Sequence, residues 1–229
     1  VIVEPTSGNQ GIGLALVAAV RGYRVRIIMP DSVSEERRKL VRHYGAKVKL
    51  IHDAGDIGAC IDECVKMAES MAKKDPNVFV PQQFENENNT LAHKKHTALE
   101  MMAQVAKPID GFCSGIGTGG TLTGIGEVLK AQYPNMQIWA VEPENAAILA
   151  GGTIGTHLQM GIGDGIVPKI LNKNIYDNIY IVSDEEALTT AKRLAREEGL
   201  MCGISSGTNV AAALKLAKKR YPLLPSYQL

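Results

Sequence analysis

The stretch IDGFCSGIGTGGTLTGI, residues 109–125, decides how the chain is read. Its apolar opening, residues 109–113, has the length and character of a buried strand. Glycine then takes over, with five glycines between Ser114 and Ile125. From Thr121 and Leu122 a helical pattern runs towards Pro134. Strand, glycine-rich turn and helix start form an arrangement that binds phosphate. Glycine lets the backbone approach the anion and turn successive N–H groups onto its oxygens. The first helical turn adds unpaired donors at the positive end of its dipole. Thr118 and Thr121 can add hydroxyl donors. No Lys or Arg lies between Lys107 and Lys130, so amides and hydroxyls alone would hold the phosphate.

Alternatives stand beside this reading. Gly115 to Gly120 satisfies G-x-G-x-x-G, and Glu142 follows a later strand at a distance that suits a ribose, as in a dinucleotide site. A Walker loop is excluded, because no Gly-Lys-Ser/Thr follows the glycines. The bland reading is a turn that merely lets a helix pack closely on its sheet.

A chain of 229 residues can bury a core in one large or two small domains. Basic and acidic residues balance at 25 against 24, which points away from nucleic acid and anionic membrane surfaces. No apolar run approaches the length of a membrane span. The four cysteines include no C-x-x-C pair. Cys60 and Cys64 sit one helical turn apart and are expected on a core face, and a reducing, cytoplasmic setting fits them. The chain starts Val-Ile-Val-Glu-Pro and ends in an aperiodic tail over residues 221–229. Both ends read as cut, so a fragment is expected.

Strands are expected over residues 1–3, 24–29, 47–51, 78–81, 109–113, 137–141, 179–182 and 200–203. Helices are expected over 11–21, 35–44, 57–74, 89–105, from about 121 towards 134, 184–198 and 206–220. Ser34 is placed to cap the second helix, and Ser183 with Glu186 forms a capping box. Strands alternating with helices imply an α/β fold with parallel sheets covered on both faces. The division falls near residues 86–89, giving a smaller domain over 1–88 and a larger one over 89–229.

In such folds ligands sit at the carboxyl ends of strands. Four of those ends carry polar turns: Thr6-Ser7-Gly8-Asn9, Gln82-Gln83-Phe84, Gly117 to Thr121, and Gly203-Ile204-Ser205-Ser206-Gly207. Singly each reads as a cap or a solvated turn, with Ser206 the more natural cap of the last helix. Together they are hard to explain that way.

These stretches resemble the cysteine synthase (O-acetylserine sulfhydrylase) family, within the pyridoxal-phosphate-dependent β-family that includes cystathionine β-synthase. EPTSGN-x-GIGLA at residues 4–15 is similar to its substrate-carboxylate loop and SGIGTGGTLTG at 114–124 to its phosphate cup. PDSVSEERRKLVRHYGA, QQF-x-N, AVEPE, MGIGDGIVP and GISSGTN match further. The resemblance implies a two-domain fold-type II architecture and pyridoxal 5'-phosphate as cofactor. It implies that Asn9 bonds the cofactor's phenolic oxygen, that Gly117, Thr118, Gly119, Gly120 and Thr121 hold its phosphate, and that Ser205 faces the pyridine nitrogen. Thr6, Ser7, Gly8, Asn9, Gln83 and Gly161 would contact the substrate. The implied reaction is β-elimination of acetate from O-acetyl-L-serine to an aminoacrylate, followed by addition of sulfide to give L-cysteine. A serine hydroxyl cannot keep a ring nitrogen protonated, which weakens the electron sink and favours loss of a β-substituent. A homodimer, and the C-terminal tail of serine acetyltransferase as a partner, are implied as well.

The sequence departs from this pattern in places. The family's Schiff-base lysine lies upstream of the Thr-Ser-Gly-Asn loop, in a Ser-x-Lys-Asp motif that no lysine here matches. No catalytic residue is therefore assigned within the chain, and residues 1–229 alone are expected to bind cofactor weakly and not to turn over. Gln10 stands where Thr is usual, Val33 where Met is common, and Asp164 where a small residue is common. These leave the acyl donor open: a cystathionine β-synthase-like enzyme, a cysteine lyase and a non-catalytic remnant remain alternatives.

Overall fold

The computed structural model describes residues 1–55 and 57–222, and the tail read as aperiodic lies beyond them from residue 223. The chain divides into two compact units, Val1–Gln83 and Phe84–Leu229.

The first unit runs β1 (Ile2–Pro5), α1 (Asn9–Arg21), β2 (Val25–Pro30), α2 (Glu35–His43), β3 (Lys47–Ile51) and α3 (Ile57–Lys74). Its sheet has the order β1-β2-β3, and both pairings are parallel. Alternation along β2 assigns the two faces. Ile27 and Met29 pack with Ala15, Ala18 and Val41 of α1 and α2, whereas Ile28 packs with Cys60, Cys64 and Ala68 of α3. Each such side chain, fully buried, contributes about 1.5–3 kcal/mol. Period-2 burial on both faces is what forces helices onto both sides.

The second unit runs α4 (Glu87–Ala92), a π turn at His93–Thr97, α5 (Ala98–Gln104), β4 (Gly111–Gly115), α6 (Gly120–Gln132), β5 (Gln137–Pro143), β6 (Asn178–Val182), α7 (Asp184–Glu197) and α8 (Ile204–Arg220). Its parallel sheet has the order β4-β5-β6. Ile138 and Ala140 of β5 join Leu122, Ile125 and Leu129 of α6 in one layer. Val141 joins Ala187 of α7 and Ala211 and Ala212 of α8 in the other. The parallel α/β class expected from the alternation is present in both units.

Several local expectations need correction. Residues 78–81 form only a single bridge, Phe79 to Ile2. Pro81 lacks the N–H that would carry the ladder further. Residues 200–203 form no strand and are exposed, Met201 almost fully at 97%. β4 begins at Gly111, not at residue 109. Ser34 occupies an N-cap position, but its side chain makes no cap bond and meets the Glu36 carboxylate instead. Ser206 is not a cap either, because α8 starts earlier, with Gly203 at its N-cap. The N-cap half of the box expected at Ser183 does form, its Oγ accepting from Glu186 N–H at 3.1 Å, while Glu186 Oε1 accepts from Tyr180 OH at 3.4 Å.

Candidate active site

In the second unit β4 ends at Gly115 and the chain reaches α6 through four residues, 116–119. Gly119, the N-cap of α6, lies in the left-handed region at φ 76, where a side chain would be strained. Gly119 has no side chain to cap this helix, and the Thr118 hydroxyl meets its first amide, Gly120 N–H, at 3.3 Å. A Cβ on Gly117 would sit 2.8 Å from the Gly161 carbonyl oxygen. The turn at Gly161 is thereby brought against the loop backbone to backbone, and Gly163 N–H donates to Ile116 O at 2.8 Å. A cradle of amides with no cation between Lys107 and Lys130 fits the phosphate group of a small cofactor.

Two residues that sequence reasoning missed hold this loop. Asn89 Nδ2 donates to Thr118 Oγ1 at 3.0 Å. His93 Nε2 pairs with Thr121 Oγ1 at 3.1 Å, while its Nδ1 pairs with Thr97 Oγ1 at 3.1 Å. Burial lowers the His93 pKa and favours the neutral ring. A neutral imidazole donates through one nitrogen and accepts through the other, and hydroxyls on both sides satisfy either tautomer. The His93–Thr97 π turn is what sets this ring beside Thr121. Such turns interrupt helices frequently at functional sites.

Ser205 lies in the first turn of α8, half-buried. One turn further on, Asn209 Oδ1 accepts from Gly115 N–H at 2.7 Å, so that face of α8 meets the end of β4 where the phosphate loop begins. Gln159, fully buried, accepts from Thr208 Oγ1 at 2.8 Å and donates to Val182 O at 2.9 Å. It ties the loop that carries Gly161 to α8 and β6. Asp164 in that loop has Oδ2 3.5 Å from where a Cβ on Gly117 would stand, and burial raises its pKa.

In the first unit Thr6 is buried, and its Oγ1 accepts from Gly8 N–H at 3.1 Å. Asn9 begins α1, two residues earlier than the periodicity suggested, and is exposed. Gln83 Nε2 donates to Pro5 O at 3.3 Å, which places this side chain beside the start of the Thr6-Ser7-Gly8-Asn9 loop.

Glu142 is not available to a ribose. Its carboxylate is buried and accepts from Leu149 N–H at 2.8 Å and Ala150 N–H at 3.0 Å. The dinucleotide alternative loses its acidic residue.

Open parallel α/β units with a cation-free glycine cradle at a helix start define a phosphate-anchored cofactor enzyme. The chain belongs to the pyridoxal-phosphate-dependent enzyme family, whose model matches residues 1–222. It is 44% identical over 225 residues to the "Probable cysteine synthase" of Bacillus subtilis (strain 168), covering 97% of this chain and 71% of that one. It is 45% identical over 219 residues to the cysteine synthase of Staphylococcus aureus (strain Mu50), covering 95% and 69%. Among solved structures, O-ureido-L-serine synthase superposes with a TM-score of 0.89 at 42% identity, covering 98% of this chain and 68% of that one. The O-acetylserine-dependent cystathionine β-synthase of Helicobacter pylori does so with a TM-score of 0.89 at 35% identity, covering 98% and 70%. The fold is that of the fold-type II enzymes, and pyridoxal phosphate is the cofactor of the family. Among the described residues no helix is long and apolar enough to cross a membrane.

Proposed function

We propose that the protein replaces the acetate of O-acetyl-L-serine by sulfide to make L-cysteine. The observation that carries this reading is the α6 cradle: a helix start with a left-handed glycine at its N-cap, and amide and hydroxyl donors in place of a cation. Gly117, Thr118, Gly119, Gly120 and Thr121 would hold the cofactor's phosphate, Asn9 its phenolic oxygen and Ser205 its ring nitrogen. Bound pyridoxal phosphate supplies the electron sink that lets an amino acid lose its β-substituent. Thr6, Ser7, Asn9 and Gln83 would grip the substrate carboxylate, and Gly8 and Gly161 would contact the substrate. Ser205, a neutral hydroxyl, leaves the ring nitrogen unprotonated and so restricts the chemistry to the β-carbon. No lysine of this chain is given a catalytic role. The same reading extends to a cytoplasmic homodimer that receives the tail of serine acetyltransferase.

Asp164 favours a second reading, another β-replacement of the same class with a different donor or acceptor. Its carboxyl stands beside Gly117, where the family commonly has a small side chain. Protein expressed from the complete gene, given O-acetyl-L-serine and either sulfide or homocysteine, separates the two. Cysteine as the dominant product is expected. Cystathionine in its place, or no turnover of acetylserine with either, would overturn the first reading.

A further inference from the structure

Glu4 is fully buried at the end of β1. Its Oε2 accepts from Gln82 N–H and its Oε1 from Gln83 N–H, both at 2.9 Å. Gln82 has φ 56 and is the one non-glycine residue at positive φ among the described residues. Its side-chain Oε1 is buried without a hydrogen-bond partner there. The turn is thus held in a conformation that the Gln82 side chain does not reward. What holds it is the carboxylate of Glu4, whose partners are backbone amides.

The same device recurs in the second unit. Val3-Glu4-Pro5 and Val141-Glu142-Pro143 share a sequence, and each glutamate is the next-to-last residue of its strand. Each is buried, and each accepts from two successive backbone N–H groups, those of Glu4 beginning 78 residues on and those of Glu142 only 7. Taking a carboxylate out of water is costly unless donors replace the water, so a chain that places one there gains a fixed loop. For Glu4 the fixed loop is the one that carries Gln83. The Gln83 side chain then reaches Pro5 O, immediately before Thr6.

We propose that Glu4 is a positioning residue for substrate recognition: its clasp on the Gln82 and Gln83 amides sets Gln83 beside the Thr6-Ser7-Gly8-Asn9 loop. The role rests on the reading of Gln83 and that loop as the grip on the substrate carboxylate. Glu4 itself touches no substrate.

Glu4→Gln tests it, because the amide keeps the shape but turns an N–H donor towards one of the two backbone donors. Glu4→Asp, which keeps the charge on a shorter arm, is the second variant, should Glu4→Gln fail to fold. Gln83→Ala and Asn9→Ala are measured beside them, all in protein expressed from the complete gene. In Glu4→Gln, hydrogen exchange at the Gln82 and Gln83 amides should quicken about tenfold or more, and KM for the amino-acid substrate should rise about tenfold, as expected for a lost charge-assisted bond. KM for sulfide should stay within about twofold, and kcat should change less than the amino-acid KM. Glu4→Asp should fall between wild type and Glu4→Gln in both readouts. Faster exchange with an unchanged amino-acid KM, while Gln83→Ala and Asn9→Ala are impaired, would overturn the role of Glu4 and leave the site reading intact. Unchanged amino-acid KM in Gln83→Ala and Asn9→Ala would overturn the site reading and the role of Glu4 with it.

Discussion

Asn89 Nδ2 donates to Thr118 Oγ1 at 3.0 Å, across an interval of 29 residues. The bond joins the second residue after the N-terminus of α4 to the middle of the glycine-rich loop. Thr118 Oγ1 also accepts from Gly120 N–H at 3.3 Å, so Asn89 steadies the hydroxyl and, through it, the first amide of α6. A loop made of glycine has little stiffness of its own. The side chains of α4 and the following π turn supply it.

Asn89→Ala should therefore weaken cofactor binding without unfolding the protein. A neutral hydrogen bond contributes roughly 0.5–1.5 kcal/mol, so a loss of about two- to tenfold in pyridoxal phosphate affinity is expected. Titration of cofactor-free protein by absorbance measures it. Affinity unchanged within error would show that Thr118 needs no support from α4.

Gly124 tests the packing behind the loop. A Cβ there would lie 2.5 Å from Thr90 O and 2.7 Å from His93 Cβ, so either α4 or α6 must move. Gly124→Ala gains helix propensity of about 1 kcal/mol but pays overpacking of about 1–3 kcal/mol. The clash should win. A lower urea midpoint with unchanged slope, together with weaker cofactor uptake, is the expected outcome. A midpoint equal to or above wild type would mean that the helices separate freely.

Much of this was legible in residues 109–125, because a strand, a run of glycines and a helix start leave few alternatives. The pattern named the loop but not its supports. Asn89 lies in the run Glu85-Asn86-Glu87-Asn88-Asn89, which reads as a boundary between domains. His93 sits in a polar helix whose π turn has no periodic signature. The strand expected at 200–203 failed for a different reason. Apolar residues describe what could be buried, and a ladder also needs a neighbour. Glu142 carried the dinucleotide alternative because a carboxylate near the end of a strand looks alike in sequence whether it awaits a ribose or holds two amides.

The two serines of α8 are expected to separate by function. Both lie in its first turn and neither caps it, since the N-cap is Gly203 without a side-chain bond. Ser205→Ala should lower turnover by about two- to tenfold, the worth of one neutral hydrogen bond, and shift the absorbance of the bound cofactor. Ser206→Ala should change neither. Equal effects in the two variants would remove Ser205 as the ring partner.

Glu4 and His93 should impose opposite pH dependences on stability. Burial pushes the Glu4 pKa from 4.5 up to about 7, against the pull of its two N–H bonds. Between those values the folded protein keeps a proton that the unfolded chain has released, so stability falls as pH rises from 4.5 to 7. At ~1.4 kcal/mol for each factor of ten the whole loss is about 3 kcal/mol. His93 works the other way. Its pKa is lowered from 6.5 by burial, so below 6.5 the unfolded chain takes up a proton that the folded one refuses, and stability falls as pH drops. The two contributions overlap below pH 6.5 in opposite directions, and the wild-type profile alone cannot separate them. Difference profiles do. Urea unfolding of Glu4→Gln and of wild type at intervals from pH 5 to 8 should give a difference that narrows as pH rises, because only wild type loses stability through Glu4. His93→Gln, compared in the same way, should gain on wild type only below pH 6.5. A Glu4→Gln difference that stays flat across the range would mean that the Glu4 carboxyl titrates alike in the folded and unfolded chain, and that its two amide bonds fully offset its burial.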